Sequence, residues 1–383
     1  MSIISQLTDS GNMYKEINTT DELRGILVKG ETLKKYAFQD VDFSLVCDTA
    51  QECWFSDCIF LGGKCIGLLK PRMDEKCLVF PSFRDMPFNT FINKLYTPYS
   101  LYAGYRLGDP ESYSDCFDCK VYEHYLEAGK LSVGIRETLA RFLHDHAMND
   151  AMNDFLEGFD ERSIVGIMGG HGLLRTDEMY MKVVLISKKL TEAGCLMVSG
   201  GGPGAMEATH LGAWLAGRED ECVEEAVSML ATAPSYKDRL WLETSFQVMK
   251  KFPKPSHVSL GIPTWLYGHE PATPFATHIA KYFNNSTRED NIITIAKGGI
   301  IYSPGSAGTM QEIFQDAVQN HYLSFGYASP MIFLGEKFWT EEMPVFSLMQ
   351  ELVDKGKYKN LLLSITDSTE KITEIIADFR SQG

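Results

Sequence analysis

The sequence predicts an α/β protein: a doubly wound parallel sheet with helices on both faces, joined to a small N-terminal α+β module. Three observations carry that prediction. From residue 161 onward, apolar runs of strand length alternate with helical patterns. Glycine-rich loops follow three of those runs and open the helices behind them. Residues 1–105 lack the alternation and read as a separate module.

In chain order, the module holds Phe38-Gln-Asp-Val-Asp-Phe43 and Phe55-Ser-Asp-Cys-Ile-Phe60, two copies of an F-x-D-x-x-F spacing. Their alternating residues suit short strands, and two copies are too few for a solenoid. Cys77–Phe80 and a Pro- and Tyr-rich stretch, Met86–Tyr105, follow. Residues 106–160 read as a linker and helical segment, with Leu139, Phe142, Leu143, Ala147, Ala151 and Phe155 at helical spacing. His144 and His146 flank Asp145 there. Residues i and i+2 of a helix face different ways, so surface or capping roles are expected rather than a metal site. Residues 161–383 form the main domain. Its strands are expected at Ile164–Met168, Cys195–Val198, Ser256–Gly261, Gly298–Tyr302 and Pro330–Gly335. Its helices are expected at Glu178–Glu192, Ala205–Ala216, from Glu312 to Gln319, and Lys371–Phe379.

The bulk numbers bound the function. A chain of 383 residues with 44% hydrophobic content can bury one large core and a smaller attached domain. Mean hydropathy is −0.14. No apolar run approaches the roughly 18 residues of a membrane helix, and the N-terminal MSIISQLTDSGNMYKEI lacks the pattern of a signal peptide. A cytoplasmic protein without a membrane partner is expected. A net charge of −15 argues against nucleic acid as partner, because that footprint needs a basic face. It leaves a mononucleotide open, since one phosphate needs only local donors. Nine cysteines, an odd number, read as reduced thiols. Cys116 and Cys119 with His124 would make an incomplete zinc set, so neither metal nor cofactor is expected.

The glycine loops carry the chemistry. Glycine lets backbone approach a phosphate closely, and the following helix presents free N–H groups and the positive end of its dipole. Gly169-Gly170-His171-Gly172 and Gly200-Gly201-Gly202-Pro203-Gly204 are weak signals singly, because each also reads as a tight strand-to-helix turn. His171 is a candidate for base or phosphate, or a backbone-bonded loop histidine. Glu207 either caps its helix or faces a ligand. The third loop, Pro304-Gly305-Ser306-Ala307-Gly308-Thr309, sets Thr309 at a helix start, within reach of a phosphate oxygen. Glu312, one turn on, either meets a sugar or closes a capping box on its own helix. Trp265-Leu-Tyr267-Gly268-His269-Glu270 reads as packing first and as a base pocket second.

PGSAGTMQE resembles the PGGxGTxxE motif of the LOG proteins, cytokinin-activating phosphoribohydrolases that long carried the label lysine decarboxylase. Gly200–Glu207 is similar to that family's first glycine loop, and Tyr282–Glu289 stands where its members carry a helix with a functional arginine. The resemblance spans residues 163–335 and is nearest to a longer bacterial subgroup with an N-terminal extension. It implies a Rossmann-like fold and hydrolysis of the N-glycosidic bond of a nucleoside 5′-monophosphate, giving free base and ribose 5-phosphate. It implies Glu312 and Arg288 as catalytic. Gly305, Ser306, Ala307, Gly308 and Thr309 would hold the 5′-phosphate; the first two glycine loops, read from their own residues, add Gly170, His171, Gly201, Gly202, Gly204 and Glu207 as further candidate ligand contacts. It also implies a homodimer or higher homo-oligomer with an AMP-like ligand.

Two departures stand inside the motif. Ser306 replaces its second glycine, and serine tolerates a left-handed backbone poorly. Gln311 replaces an acid that often precedes the glutamate, so no carboxylate pair is available there. The arginine motif reads Ser-Thr-Arg-Glu, and cytokinin specificity does not carry over. The competing function is a nucleotide-binding or sensing protein of the same fold without turnover. A pyridoxal-phosphate decarboxylase needs a Schiff-base lysine in a recognisable setting, and the loops offer none.

Overall fold

The computed structural model describes residues 14–130 and 134–382. The stretch read for a targeting signal lies, up to residue 13, outside them. The chain divides into two compact units, residues 1–94 with 133–151 and residues 95–132 with 152–383.

In the first unit the strands pair in parallel. β1 (Lys15–Ile17), β3 (Tyr36–Gln39), β5 (Ile59–Leu61) and β6 (Leu78–Phe80) form one sheet in that order, and β2 (Thr32–Lys34) with β4 (Trp54–Ser56) a second. In the two central pairings, β2 with β4 and β3 with β5, paired residues are 22 apart, as in Thr32 with Trp54 and Ala37 with Ile59; they are 21 apart between β1 and β3 and 19 between β5 and β6. Within a turn, buried Leu33, Phe38 and Phe43 follow at five-residue steps, and Phe55 and Phe60 repeat the step above them. The Phe38 and Phe60 rings stack with centroids 4.9 Å apart. This is a short parallel coil, contrary to the expectation that two repeats are too few. The F-x-D-x-x-F copies start 17 residues apart, five short of the 22-residue register, so the motif hides the true repeat. Two helices accompany the strands, α1 (Thr20–Ile26), opened by a Thr19–Glu22 capping box, and α2 (Cys47–Ala50).

Three helices follow, α3 (Pro98–Leu101), α4 (Phe117–Glu127) and α5 (Ile135–Leu156). The apolar face of α5 differs from the expected one. Leu139 and Phe142 are exposed, whereas Ala140, His144, Ala147 and Met148 are buried. His144 is therefore no surface residue; its ring meets Phe88 edge-on, with centroids 5.5 Å apart.

The second unit holds a seven-stranded sheet. Its elements run β7 (Ile164–Met168), α6 (Glu178–Glu192), β8 (Leu196–Ser199), α7 (Ala205–Leu215), α8 (Asp220–Leu230), α9 (Trp241–Lys251), β9 (Ser259–Gly261) and β10 (His278–Ile279). Then come α10 (Asn285–Ile295), β11 (Ile300–Tyr302), α11 (Ala307–His321), β12 (Pro330–Phe333), α12 (Val345–Asp354), β13 (Leu362–Ile365) and α13 (Thr369–Ser381). The strand order is β10-β9-β8-β7-β11-β12-β13, and every pair is parallel.

Helices cover both faces, as a parallel sheet with buried strands requires. Val165 and Ile167 of β7, with Met197, Ile301 and Ile332, pack into a core shared with α6, α7, α8, α9 and α13. On the other face Gly166 lies against Ala296 behind α10, and Phe333 meets Trp339 and Phe346 edge-on. This is a Rossmann-like doubly wound sheet. The chain winds outward from β7 to β10, then returns to β11 beside β7 and winds the other way. β7 and β11 thus flank the point where the winding reverses. In such sheets ligands bind in the crevice at the carboxyl ends of those two strands. Among the described residues no helix is long and apolar enough to cross a membrane.

Candidate functional site

The loops after β7 and β11 meet at that reversal and line a cavity of about 340 Å³. Gly169, Gly170 and His171 come from the first loop, and Ser306, Ala307, Gly308 and Thr309 from the second and the start of α11. Arg288 and Glu289 of α10, Gln311 and Glu312 of α11, and Tyr267 and Glu270 complete the wall with Met206. Six residues from separate sequence motifs, Gly170, His171, Arg288, Ser306, Thr309 and Glu312, therefore share one cavity.

The N-terminus of α11 is the polar floor. Ser306 is its N-cap, with φ −119° and no side-chain cap bond. The backbone is not left-handed there, so serine in place of glycine costs no strain. The first N–H groups of a helix have no intrahelical acceptor, and here they open on the cavity. Gly305 has a steric role: a Cβ on it would stand 2.1 Å from Thr309 Oγ1. The missing side chain lets that hydroxyl turn back over the loop.

Glu312 is not a capping-box residue. α11 starts at Ala307, so Thr309 occupies the third helical position and Glu312 lies a turn beyond it. Its carboxyl is half-buried, and no described residue donates a hydrogen bond to it. Burial pushes it up to about 7, against the pull of the Arg288 charge and with the push of Glu289. Arg288 is anchored by Nε donating to the Ile262 carbonyl at 2.8 Å, with Nη1 3.7 Å from Glu289 Oε1.

The second glycine loop has another job. Gly201, Gly202, Gly204 and Glu207 do not line the cavity. A Cβ on Gly200 would stand 2.3 Å from Arg288 Nη2, so this loop makes room for the guanidinium. Gly204, at φ +68°, lets the backbone close on the first loop, where a Cβ would stand 2.4 Å from the Gly170 carbonyl oxygen. Glu207 is fully buried and accepts from Arg175 Nε at 2.9 Å and Nη2 at 2.5 Å, and from the Tyr180 hydroxyl at 2.9 Å. Arg175 also donates to Thr244, Ser245 and the carbonyls of Ala233 and Trp241. That network ties α7 to α9 and leaves no lone pair for a ligand.

No family model and no curated protein matches the chain. Several solved structures do. A molybdenum cofactor binding protein from the phototrophic bacterium Rippkaea orientalis matches over 57% of this chain and 96% of its own, at 16% identity and a TM-score of 0.36. A protein called TM1055 matches over 56% and 98%, at 19% identity and a TM-score of 0.36. The Moco carrier protein of Chlamydomonas rheinhardtii matches over 57% and 97%, at 15% identity and a TM-score of 0.34. At such scores nothing about the ligand of this chain follows from them.

On the cavity wall, His171 Nδ1 stands 3.6 Å from Glu270 Oε1. Trp265 is core, donating to Asp118 at 2.9 Å, while Tyr267 and Glu270 of the same segment reach the wall. A second cavity of about 570 Å³ in this unit is walled by Tyr105, Tyr113, Tyr122, Tyr236 and Trp241. No helix-opening glycine loop reaches it, so it lacks the anion-binding floor of the first. The Cys116 and Cys119 thiols are buried and pushed up to about 11 by desolvation. Cys116 donates to the carbonyls of Tyr102 and Ser112, and Cys119 to Glu123.

Sequence reasoning missed Glu289. It appeared only as the residue after Arg288, and the signal lay in its helical neighbours: one turn back, Asn285 Nδ2 donates to it at 2.8 Å.

Proposed function

We propose that this cavity binds a nucleoside 5′-monophosphate and hydrolyses its N-glycosidic bond, releasing the base and ribose 5-phosphate. The observation that carries the reading is Glu312. A carboxyl left without a hydrogen-bond partner in the cavity, and pushed up to about 7, is poised to exchange a proton near neutral pH. Such a group costs stability, which a purely structural role would not require.

The roles follow from placement. The 5′-phosphate lies at the N-terminus of α11, on the N–H groups of Ala307, Gly308 and Thr309 and the Thr309 hydroxyl. Arg288 adds the one guanidinium on the wall. A ribose attached to that phosphate then faces Glu312. Cleavage develops positive charge at C1′, which a carboxylate stabilises, and puts an electron pair on the base nitrogen, which a carboxylic acid protonates. Binding the phosphate away from C1′ helps hold the ring for both.

The test is incubation of the purified protein with AMP, GMP, CMP, UMP and IMP, with assay of free base and ribose 5-phosphate. Release from at least one is expected. Glu312→Ala lowers turnover by about two to four orders of magnitude while nucleotide affinity stays within a few-fold. Nucleotide binding with no release from any of the five would leave a sensor of the same fold.

A further inference from the structure

Gln311 stands where the resemblance expects a second acid, yet the cavity holds a second carboxylate from another helix. Gln311 Nε2 donates to Glu289 Oε2, and Asn285 Nδ2 donates to Glu289 Oε1 at 2.8 Å. Arg288 Nη1 lies 3.7 Å from the same Oε1. Glu289 and Glu312 both line the wall, and only 13% of the Glu289 side chain is exposed. Gln311 is the residue before Glu312, so one peptide of α11 supplies the cavity glutamate and the clamp on its neighbour. Two hydrogen-bond donors hold the Glu289 oxygens, with the Arg288 charge 3.7 Å away, whereas no described residue donates to Glu312.

We propose that, of the two further carboxylates on this wall, Glu289 is the one that works with Glu312, a positioning residue held by Gln311 and Asn285 and set beside Glu312 as its like-charged neighbour. A like charge nearby disfavours a second ionised carboxylate, so Glu289 adds to burial, the larger cause, in holding the proton on Glu312 against the pull of Arg288. The inference rests on the hydrolase reading for its use. Glu312 gives its proton to the base nitrogen as the C1′–N bond breaks and the electron pair leaves with the base. Water then adds to C1′ and returns a proton to the Glu312 carboxylate. The charged and titratable groups around Glu312 are Arg288 and Glu289 from α10, and His171 and Glu270 on the cavity wall. Tyr302 and Asp316 lie behind it.

The experiment is a site-resolved titration of the full chain labelled with 13C at the glutamate carboxyls, with Glu312→Gln identifying the Glu312 signal. Glu289→Gln lowers the Glu312 midpoint by about one unit or more. Gln311→Leu, at an exposed position that tolerates exchange, lowers it by less. An unchanged midpoint in Glu289→Gln overturns the proposal. Should that variant not fold, an unchanged midpoint in Gln311→Leu does so. The titration needs no turnover, so its failure is distinct from failure of the hydrolase reading. Where base release is measured, the alkaline limb of kcat/KM moves to lower pH in Glu289→Gln by the same amount as the midpoint.

Discussion

The loops before α7 and α11 have the same local grammar, and the protein uses them in opposite ways. Each follows a strand, carries glycines, opens a helix and sets a glutamate near the helix start. Glu207, behind the first, is clamped by Arg175 from two nitrogens and by Tyr180. Glu312, behind the second, meets no donor and is pushed up to about 7. The difference comes from the strands. β11 stands at the reversal of the sheet beside β7, whereas β8 lies one place outward. The loop after β11 opens on the crevice, and the loop after β8 closes on its neighbours. A buried glutamate with every lone pair filled holds the fold; one without partners is available for chemistry.

Removing the Glu207 carboxylate is the most damaging way to probe that contrast. Glu207→Ala leaves the Arg175 guanidinium buried and unpaired, which costs about 3 to 5 kcal/mol. Urea unfolding is expected to show that loss, while the protein still folded binds nucleotide with unchanged affinity. A loss of affinity with normal stability would move Glu207 into the site.

Next in size is Thr309→Val. It removes one hydroxyl donor to a charged ligand at constant shape, worth about 1.5 to 3 kcal/mol of binding. Titration calorimetry with a nucleotide checks this, and equal affinity would take the hydroxyl out of the phosphate contacts. Gly200→Ala acts more gently, because its Cβ meets the flexible ends of the Arg288 and Met206 side chains rather than backbone. The guanidinium shifts, and affinity falls about tenfold, or roughly 1.4 kcal/mol. Stability stays close to that of the parent.

The smallest effect concerns pH. Glu312 and Asp316 both titrate near 7 in the folded chain, against ordinary values of 4.5 and 3.8. Burial dominates in both, although Tyr302 and Gln319 donate to Asp316. The folded chain thus binds more protons than the unfolded chain between about pH 4 and 7, and these groups lower stability as pH rises through that window. Glu312→Gln removes its share. The variant is expected to exceed the parent at pH 8 by on the order of 1 kcal/mol and to match it at pH 4. Equal pH dependence in thermal unfolding would show that Glu312 is solvated.

Much of the second unit was legible because its signals are local. The strand Ile164–Met168 and the helix Glu178–Glu192 fall on the predicted residues. An unbroken apolar run and a period-3.6 stripe depend on neighbours in sequence. β13 was not singled out: its apolar run Leu361–Leu363 is short and broken by Ser364, and Leu362–Ile365 is partly exposed at the sheet edge. Nor was the coil of the first unit, whose buried residues step by five along a turn and by 22 between turns. Periods of two or 3.6 do not detect that pattern.

The sequence by itself determined the strand, loop and helix units, and singled out Arg288, Thr309 and Glu312 from motifs within short stretches of chain. Only the tertiary structure decided which glycine loop opens on the cavity, because strand order is set by packing between distant segments. It alone brought Glu289 to Gln311, across 22 residues, and left Glu312 without a donor. Desolvation and the company a charge keeps depend on the whole fold, so two glutamates in like sequence settings end in opposite roles.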